Sequence, residues 1–148
     1  MIQEGQELAL LNPQIVVKIP MIEEGIKAIR YFSNKRIKTN WTLVFSLGQA
    51  LIAAQAGATY VSPFIGRLED NGQDGVQIVK SIIDMFEKQN YQTKVLAASI
   101  RNKNQIEECA KIGAHVVTAP LSAIKELIPN TLTDQGLKKF LDDYANNQ

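Results

Sequence analysis

A single lysine stands in an otherwise apolar extended segment near the start of the chain. The segment covers residues 14–20, Q-I-V-V-K-I-P, and its lysine is Lys18. A strand alternates its side chains between two faces, so Lys18 shares a face with Val16 and Pro20. We expect both faces to be buried, as in the strands of a parallel sheet, so that Lys18 sits among β-branched neighbours, its ammonium loses its hydration and the neutral amine is favoured. Such an amine is a nucleophile that can add to a carbonyl group.

Polar side chains also end or follow later extended segments, and they bear on the role of Lys18. A lysine alone at a strand end could simply keep its charge in water and protect a sheet edge. Polar residues also stand within or just after the other segments: Asn40, Thr42, Arg67, Ser99 and Arg101. In a parallel barrel the C-terminal strand ends form one mouth, so these side chains would converge with Lys18. This convergence favours a catalytic lysine.

Alternating strand and helix patterns predict the elements that position these residues. Predicted strands cover residues 14–20, 38–45, 60–65, 94–99 and 115–119. Predicted helices cover residues 1–11, 23–35, 47–56, 76–89, 105–113, 121–128 and 133–144, with Gly57 as a C-cap and Asn102 as an N-cap. Residues 66–75 are predicted to form a polar loop. We therefore expect an α/β fold with a parallel sheet, organised as one domain over residues 1–148.

The composition excludes several functional classes. A chain of 148 residues with 45% hydrophobic and 21% charged residues fits one soluble globular domain. Its net charge is +1 without a basic stripe, so nucleic acid is not the expected partner. No apolar run reaches the length of a membrane span and no secretory signal pattern is present, so we expect no membrane association. The single cysteine fits a reducing compartment, and we expect a cytoplasmic protein.

Five ordered motifs surround the polar strand-end residues. They are I-V-V-K-I-P around Lys18, N-W-T-L-V-F-S followed by Gln49, G-A-T-Y-V-S-P-F-I-G-R ending at Arg67, V-L-A-A-S-I-R ending at Arg101, and L-T-D-Q-G-L-K-K-F near the C-terminus. Together they resemble the transaldolase and fructose-6-phosphate aldolase family over nearly the whole chain. The resemblance implies part of a (β/α)8 TIM barrel, with five parallel strands equivalent to strands 4–8 and flanking helices.

The resemblance implies class I aldolase chemistry at Lys18. The lysine would add to the C2 carbonyl of a ketose phosphate and lose water to form a Schiff base, which accepts the electrons of the cleaved C3–C4 bond. Asn40 and Thr42 would hold substrate hydroxyls and the water of imine formation. The implied reaction transfers a dihydroxyacetone unit between sugar phosphates in the pentose phosphate pathway. No cofactor and no metal are implied.

The resemblance also assigns a set of phosphate-binding residues, here called the phosphate grip, and one residue that distinguishes transaldolases from fructose-6-phosphate aldolases. Arg67, Ser99 and Arg101 would bind the substrate phosphate, since the guanidinium fork pairs two phosphate oxygens at once. Fructose-6-phosphate aldolases tend to carry a tyrosine at the position of Phe64, and transaldolases tend to carry phenylalanine. Phe64 and Asn40 therefore favour a transaldolase. A fructose-6-phosphate aldolase is the alternative, and Phe64 could also simply fill the barrel.

The resemblance is incomplete on its N-terminal side. The aspartate, asparagine and glutamate or glutamine that the family carries on its first three strands have no counterpart before Lys18, and Glu23 and Glu24 begin a helix. We expect the chain to be the C-terminal portion of such a barrel. Its exposed strand edges at residues 14–20 and 115–119 are expected to pair in a homo-oligomer or with the missing N-terminal part. A non-catalytic remnant and a phosphosugar-binding module are the alternatives.

The remaining candidates are expected to be structural. We expect Cys109 to be a core residue and His115 an ordinary strand-end residue. Trp41 is expected to pack against helices, away from Asn40 and Thr42. The three acidic residues that follow the third predicted strand are expected to cap the next helix or face water rather than bind a metal: Glu69, Asp70 and Asp74.

Overall fold

The computed structural model describes residues 1–146, in which five strands alternate with helices. The strands are β1 (Val17–Pro20), β2 (Thr39–Val44), β3 (Tyr60–Pro63), β4 (Lys94–Ala97) and β5 (Val116–Val117). The helices are α1 (Ile2–Leu11), α2 (Glu23–Asn34), α3 (Leu47–Ala56), α4 (Ile65–Asp70), α5 (Gly75–Lys88), α6 (Lys103–Lys111), α7 (Leu121–Lys125) and α8 (Thr131–Asn146). No helix among these residues is both long enough and apolar enough to cross a membrane.

The five strands form one parallel sheet in the order β1-β2-β3-β4-β5. Each strand pairs with the next one along the chain, as in the wall of a barrel, whereas a doubly wound sheet reverses its order at a switch point. The register places Lys18 opposite Asn40, Asn40 opposite Tyr60, and Tyr60 opposite Lys94. The predicted α/β class is therefore confirmed, and the architecture is that of a partial TIM barrel.

The hydrophobic core lies between one face of the sheet and the helices. Val17 and Ile19 of β1 and Trp41 of β2 point to this face and are buried. Gly25 of α2 lets the helix approach closely, because a Cβ there would stand 2.5 Å from the Pro20 carbonyl oxygen. Trp41 Nε1 donates a hydrogen bond of 2.8 Å to the same oxygen. Trp41 thus packs towards the helices, as predicted.

The other face of the sheet is less covered, and Lys18 lies on it. Along β1 the side chains alternate as buried Val17, exposed Lys18, buried Ile19 and half-buried Pro20. The predicted alternation of faces is confirmed, but the prediction that both faces of this strand are buried is wrong. The reason is that β1 is an edge strand of the described sheet, and the helices pack on its opposite face.

Most element boundaries differ from the predictions by one to three residues. Helix α3 has the predicted bounds, and Gly57 is its C-cap. The φ of Gly57 is 90°, a left-handed conformation that glycine adopts readily because it has no Cβ. Asn102 caps α6 as predicted, accepting a hydrogen bond of 3.0 Å from the Gln105 N–H. The main difference is α4, which occupies part of the predicted 66–75 loop and follows a strand that ends at Pro63. Arg67 therefore lies on a helix. The organisation of residues 1–148 as one domain stays a prediction.

Candidate active site at the C-terminal strand ends

Three adjacent strands place an amine, an amide and a hydroxyl side by side. Lys18 on β1 is in register with Asn40 on β2. Ser62 on β3 donates a hydrogen bond of 2.7 Å from its Oγ to Asn40 Oδ1. Ser62 is buried, Asn40 is half-buried and Lys18 is exposed. The exposed amine of Lys18 thus lies beside Asn40 and Ser62, which are held together by a hydrogen bond between two strands of the sheet.

Ser62 was not predicted from the sequence, although a signal for it existed. Strand alternation places Ser62 on the same face as Tyr60, and Tyr60 is the register partner of Asn40. A serine in the middle of an apolar strand needs a hydrogen-bond partner when it is buried. The face of the strand and this requirement together could have indicated the contact with Asn40.

Lys18 is not desolvated in the described chain. Its side chain is exposed, so water reaches the amine. The expectation of a lysine held out of water by β-branched neighbours is therefore wrong for residues 1–146. The placement of Lys18 beside Asn40 does not depend on burial, and its assignment as the Schiff-base residue stays a prediction.

Thr42 lies at an irregularity of β2. The register between β2 and β3 shifts between Trp41 and Val44, and Leu43 has a φ of 61°. A leucine in this left-handed region costs about 1–2 kcal/mol, and such strain concentrates at functional sites. Thr42 is buried, and its Oγ1 has no hydrogen-bond partner among the described residues. The same holds for Thr39 on the helix-facing side, so the unpaired hydroxyl alone does not define a site.

Phe64 lies between the end of β3 and the start of α4, and its ring contacts Arg67. Its ring lies 5.9 Å from the ring of Phe45 at an angle of 59°. The guanidinium carbon of Arg67 stands 5.0 Å from the Phe64 ring centroid, which is within the range of a cation–π contact. Phe64 is half-buried. The phenyl ring therefore supports an arginine of the predicted phosphate grip as well as filling space.

Two predicted phosphate-binding residues, Ser99 and Arg101, approach the start of α4, the helix that carries the third, Arg67. The Gly66 N–H donates a hydrogen bond of 3.1 Å to the Ser99 carbonyl oxygen. A Cβ on Gly66 would overlap that oxygen and would lie 2.8 Å from Arg101 Nε and 3.1 Å from Ser99 Oγ. Arg67 follows directly in the chain. Glycine at residue 66 is what allows the segment after β4 to approach α4 this closely.

The Ser99–Arg101 segment is anchored to the acidic residues of α4. Asp70 accepts two hydrogen bonds from the Arg101 guanidinium. This contact lowers the pKa of Asp70 and raises the pKa of Arg101, and Arg67 lowers the Asp70 pKa further. Glu69 accepts a hydrogen bond of 2.6 Å from Gln105 Nε2. Through these contacts, the exposed acidic residues Glu69 and Asp70 become part of the site.

The acidic residues cap a helix or are exposed, as expected, but two of them also make contacts that were not predicted. Asp74 caps α5 as expected, accepting a hydrogen bond of 2.9 Å from the Gln77 N–H. Glu69 and Asp70 are exposed, as expected, and in addition hold the segment that follows β4. Within residues 1–146, no group of three or more His, Cys, Asp or Glu side chains could hold a metal ion.

Two of the remaining candidates have structural roles. Burial raises the pKa of the Cys109 thiol to about 11, with smaller effects from Glu69 and Glu108, so the thiol stays protonated. Cys109 is a core residue, as predicted. His115 Nδ1 accepts a hydrogen bond of 3.2 Å from the Val95 N–H. It precedes β5, so it lies at the end of the sheet opposite to the site, as expected for a structural residue.

Cavities also occur away from the strand ends. One of about 440 Å³ lies between α1 and the segment after α2 and is lined by Gln6, Ala9, Leu10, Lys35 and Ile37. Its lining contains none of the predicted site residues. Residue chemistry and register, rather than cavity size, therefore locate the candidate site.

The chain was compared with known proteins and families. Residues 1–147 match the sequence profile of a family described as transaldolase/fructose-6-phosphate aldolase. A probable transaldolase of Phocaeicola vulgatus is 65% identical over 144 residues, which are 97% of this chain and 66% of that protein. Probable transaldolases of Bacteroides thetaiotaomicron and Porphyromonas gingivalis are 64% and 59% identical, with the same coverage of both chains. The chain thus spans 66% of the length of these relatives.

The comparison with solved structures gave a weaker overlap. A crystal structure of a mandelate oxidase variant overlaps 65% of this chain and 29% of its own. The TM-score is 0.47 and the sequence identity is 17%. An overlap of this quality supports no conclusion about fold or function.

Proposed function

The chain belongs to the transaldolase/fructose-6-phosphate aldolase family, and we propose that it carries the Schiff-base lysine and the phosphate grip of a transaldolase. The observation that carries the proposal is the row of Lys18, Asn40 and Ser62 across three adjacent strands. Arg67 and Arg101 lie at the same end of the sheet. The substrate class is a ketose phosphate, and the reaction transfers a dihydroxyacetone unit to an aldose phosphate.

Lys18 supplies the covalent step. The unprotonated form of its amine adds to the C2 carbonyl, and the resulting carbinolamine takes up a proton from solvent and loses water to give a protonated imine. Breaking the C3–C4 bond moves its electron pair into the imine and gives an enamine, while the C4 hydroxyl gives its proton to solvent and the aldehyde leaves. The enamine then adds to the acceptor aldehyde, and water releases the new ketose from Lys18.

Asn40 and Thr42 bind polar groups of the bound sugar in this proposal. Asn40 uses its Oδ1 atom to accept the hydrogen bond from Ser62, so its NH2 group remains to donate to a substrate hydroxyl. Thr42 Oγ1 is buried without a partner among the described residues. A buried hydroxyl without a partner costs about 1–3 kcal/mol, and a bound hydroxyl or water would remove this cost.

Arg67, Ser99 and Arg101 hold the phosphate. Arg101 Nε and the Ser99 hydroxyl lie near Gly66, and Arg67 is the next residue in the chain. In this proposal their guanidinium and hydroxyl groups donate hydrogen bonds to phosphate oxygens. Phe64 favours transfer over release, because a phenyl ring places no hydroxyl near the enamine that could pass it a proton. In this proposal the chain acts in the pentose phosphate pathway of carbohydrate metabolism, and no cofactor or metal takes part.

The proposal also covers how the chain associates and where it is located in the cell. The strands β1 and β5 are the two edges of the described sheet, and unpaired edges favour pairing with another chain. Helix α8 also exposes apolar side chains at helical spacing, namely Leu137, Phe140, Leu141 and Tyr144. Association occurs either between copies of this chain or with an N-terminal part of the barrel. The one buried thiol, Cys109, fits a cytoplasmic location.

Borohydride trapping tests the covalent step. The chain is incubated with fructose 6-phosphate and sodium borohydride, and the modified residue is identified by peptide mass spectrometry. We expect the reduced sugar phosphate on Lys18, lost in Lys18→Met and retained in Lys94→Met, which removes another exposed strand lysine. Equal modification of both lysines, or no adduct on folded protein, contradicts the proposal. Phosphate binding without any adduct instead supports the non-catalytic alternative.

A further inference from the structure

Asp70 holds one end of the Arg101 side chain. Arg101 Nη1 and Nη2 each donate a hydrogen bond to one carboxylate oxygen of Asp70. The side chains of Arg101 and Asp70 are 52% and 51% exposed, so this contact does not arise from general burial. A two-point pair between two planar groups restrains the plane of the guanidinium as well as its position.

The other end of the guanidinium faces a different group of atoms. Arginine has five N–H donors, and a pair through Nη1 and Nη2 leaves the Nε–H available. Arg101 Nε lies 2.8 Å from the position that a Cβ of Gly66 would take, and Ser99 Oγ lies 3.1 Å from the same position. The Nε–H of Arg101 and the hydroxyl of Ser99 therefore lie close to each other beside Gly66. Asp70 binds the guanidinium through Nη1 and Nη2, so it does not occupy the Nε–H.

The Arg101 backbone is held by separate contacts. Gln105 Oε1 accepts a hydrogen bond of 2.7 Å from the Arg101 N–H, and Gln105 Nε2 donates one of 2.6 Å to Glu69. Gln105 is buried. Glu69 thus acts on the backbone through Gln105, whereas its neighbour Asp70 acts on the side chain directly. Removing the Asp70 carboxylate should release the guanidinium while the Arg101 backbone stays in place.

We propose that Asp70 is a positioning residue, which orients the Arg101 guanidinium so that its Nε edge and the Ser99 hydroxyl face a bound phosphate. The inference rests on the proposed function, in which Arg101 binds the phosphate of the substrate. Without Asp70, Arg101 would have to be ordered when the phosphate binds. Ordering one long side chain weakens binding by about 2- to 10-fold.

Asp70 also has an opposite effect on phosphate binding. Its carboxylate repels the bound anion, so neutralising it raises phosphate affinity by an amount that salt reduces. Measuring Asp70→Asn alone would mix the loss of orientation with the loss of repulsion. The two effects separate when the same change is also made without the Arg101 side chain, because only repulsion then remains.

The experiment is a double-mutant cycle with inorganic phosphate as the probe. Phosphate affinity is measured by calorimetry at neutral pH for the full chain, Asp70→Asn, Arg101→Ala and the double variant. We expect Arg101→Ala to weaken binding by about 10-fold or more, since it removes a charged hydrogen-bond donor. Asp70→Asn changes the phosphate dissociation constant by one factor when Arg101 is present and by another in the Arg101→Ala background. We expect the first factor to be at least about threefold larger, in the direction of weaker binding.

Two further variants separate orientation from charge. Asp70→Glu keeps the charge but moves the carboxylate, so we expect it to weaken phosphate binding. Asp84→Asn is the matched control, because Asp84 is an exposed aspartate paired with Lys80 on α5. Asp84→Asn removes one negative charge, as Asp70→Asn does, but at a position away from the site. We therefore expect phosphate affinity to stay unchanged. Nitrogen-15 NMR of the Arg101 Nε–H should report faster exchange with water in Asp70→Asn than in Asp84→Asn.

The outcomes distinguish this inference from the proposed function. If Arg101→Ala weakens binding but Asp70→Asn has the same effect in both backgrounds, Asp70 does not position Arg101 and only this inference is overturned. If Arg101→Ala leaves phosphate affinity unchanged, the phosphate role of Arg101 is wrong and the inference is overturned with it. The covalent role of Lys18 is then still decided by borohydride trapping.

Discussion

Ser62 Oγ on β3 donates a hydrogen bond of 2.7 Å to Asn40 Oδ1 on β2. This bond determines which way the Asn40 amide faces, because the oxygen is held by Ser62 and the NH2 group points elsewhere. Asn40 is also the register partner of Lys18. The orientation of a group next to the proposed nucleophile therefore depends on a buried residue of another strand.

Replacing Ser62 with alanine should impair the chemistry more than the fold. Ser62→Ala removes the donor to Asn40, so the amide can rotate and offer the wrong atom to the sugar. The loss of one neutral hydrogen bond is worth about 0.5–1.5 kcal/mol, which corresponds to a 2- to 10-fold slower formation of the borohydride-trapped adduct. Ser81→Ala, which removes an exposed serine hydroxyl on α5, is the control and should leave the rate unchanged. An unchanged rate in Ser62→Ala would show that Asn40 is oriented by other contacts.

Phe64→Tyr should increase release of the transferred unit relative to its transfer. The ring stays between Phe45 and Arg67, and the new hydroxyl can bring water or a proton to the enamine. The ratio of free dihydroxyacetone to transfer product, measured with fructose 6-phosphate and an aldose phosphate acceptor, should rise. Phe45→Tyr adds a hydroxyl to the neighbouring ring and serves as the comparison. A ratio that does not change in Phe64→Tyr removes Phe64 as the discriminator.

Gly66→Ala should disrupt the phosphate grip and destabilise the chain. The new Cβ would overlap the Ser99 carbonyl oxygen and lie 2.8 Å from Arg101 Nε, so backbone must move. Overpacking of this kind costs about 1–3 kcal/mol. Urea denaturation should report this loss, and calorimetry should report weaker binding of inorganic phosphate.

A second glycine provides the control for Gly66→Ala. Gly136 lies in α8, and a Cβ there would meet nothing within 4 Å. Gly136→Ala should therefore stabilise the helix by about 0.5–1 kcal/mol, because alanine loses less backbone entropy than glycine. If both variants have the same stability, the close approach of Ser99 to α4 is wrong.

Cys109 should make stability depend on pH in the alkaline range. Burial raises the pKa of its thiol to about 11 in the folded chain, whereas the ordinary value in an unfolded chain is about 8.5. The folded state therefore holds the proton more tightly than the unfolded state. The resulting stabilisation is complete below about pH 8.5 and is lost as the pH rises towards 11. The urea midpoint should fall more steeply over this range in the unchanged protein than in Cys109→Ala, and parallel curves would contradict the assignment.

Much of the fold followed from local patterns in the sequence. The alternation of apolar and polar residues correctly placed Val17 and Ile19 on one face of β1 and Lys18 on the other. Caps are also local, since Asn102 and the N–H that it binds are three residues apart. The polar residues at strand ends were found for the same reason, because a strand end is visible in the sequence without knowledge of what packs around it.

Helix α4 was missed because its composition resembles a loop. The stretch from Gly66 to Gly75 is polar and contains three glycines. Ile65 and Leu68 nevertheless are buried, and Gly75 allows α5 to pass close to the Ile65 backbone. Tertiary packing of these residues outweighs a weak local preference, as is common for short helices.

The sequence by itself determined the order of the elements, the faces of the strands and the residue types at the strand ends, because these depend on periodicity and on neighbours a few positions away. Only the tertiary structure decided which side chains meet. Ser62 and Asn40 are 22 residues apart, and Arg101 and Asp70 are 31 apart. It also decided that Lys18 is exposed, because burial depends on which segments cover a face of the sheet and not on the residues beside the lysine in the chain.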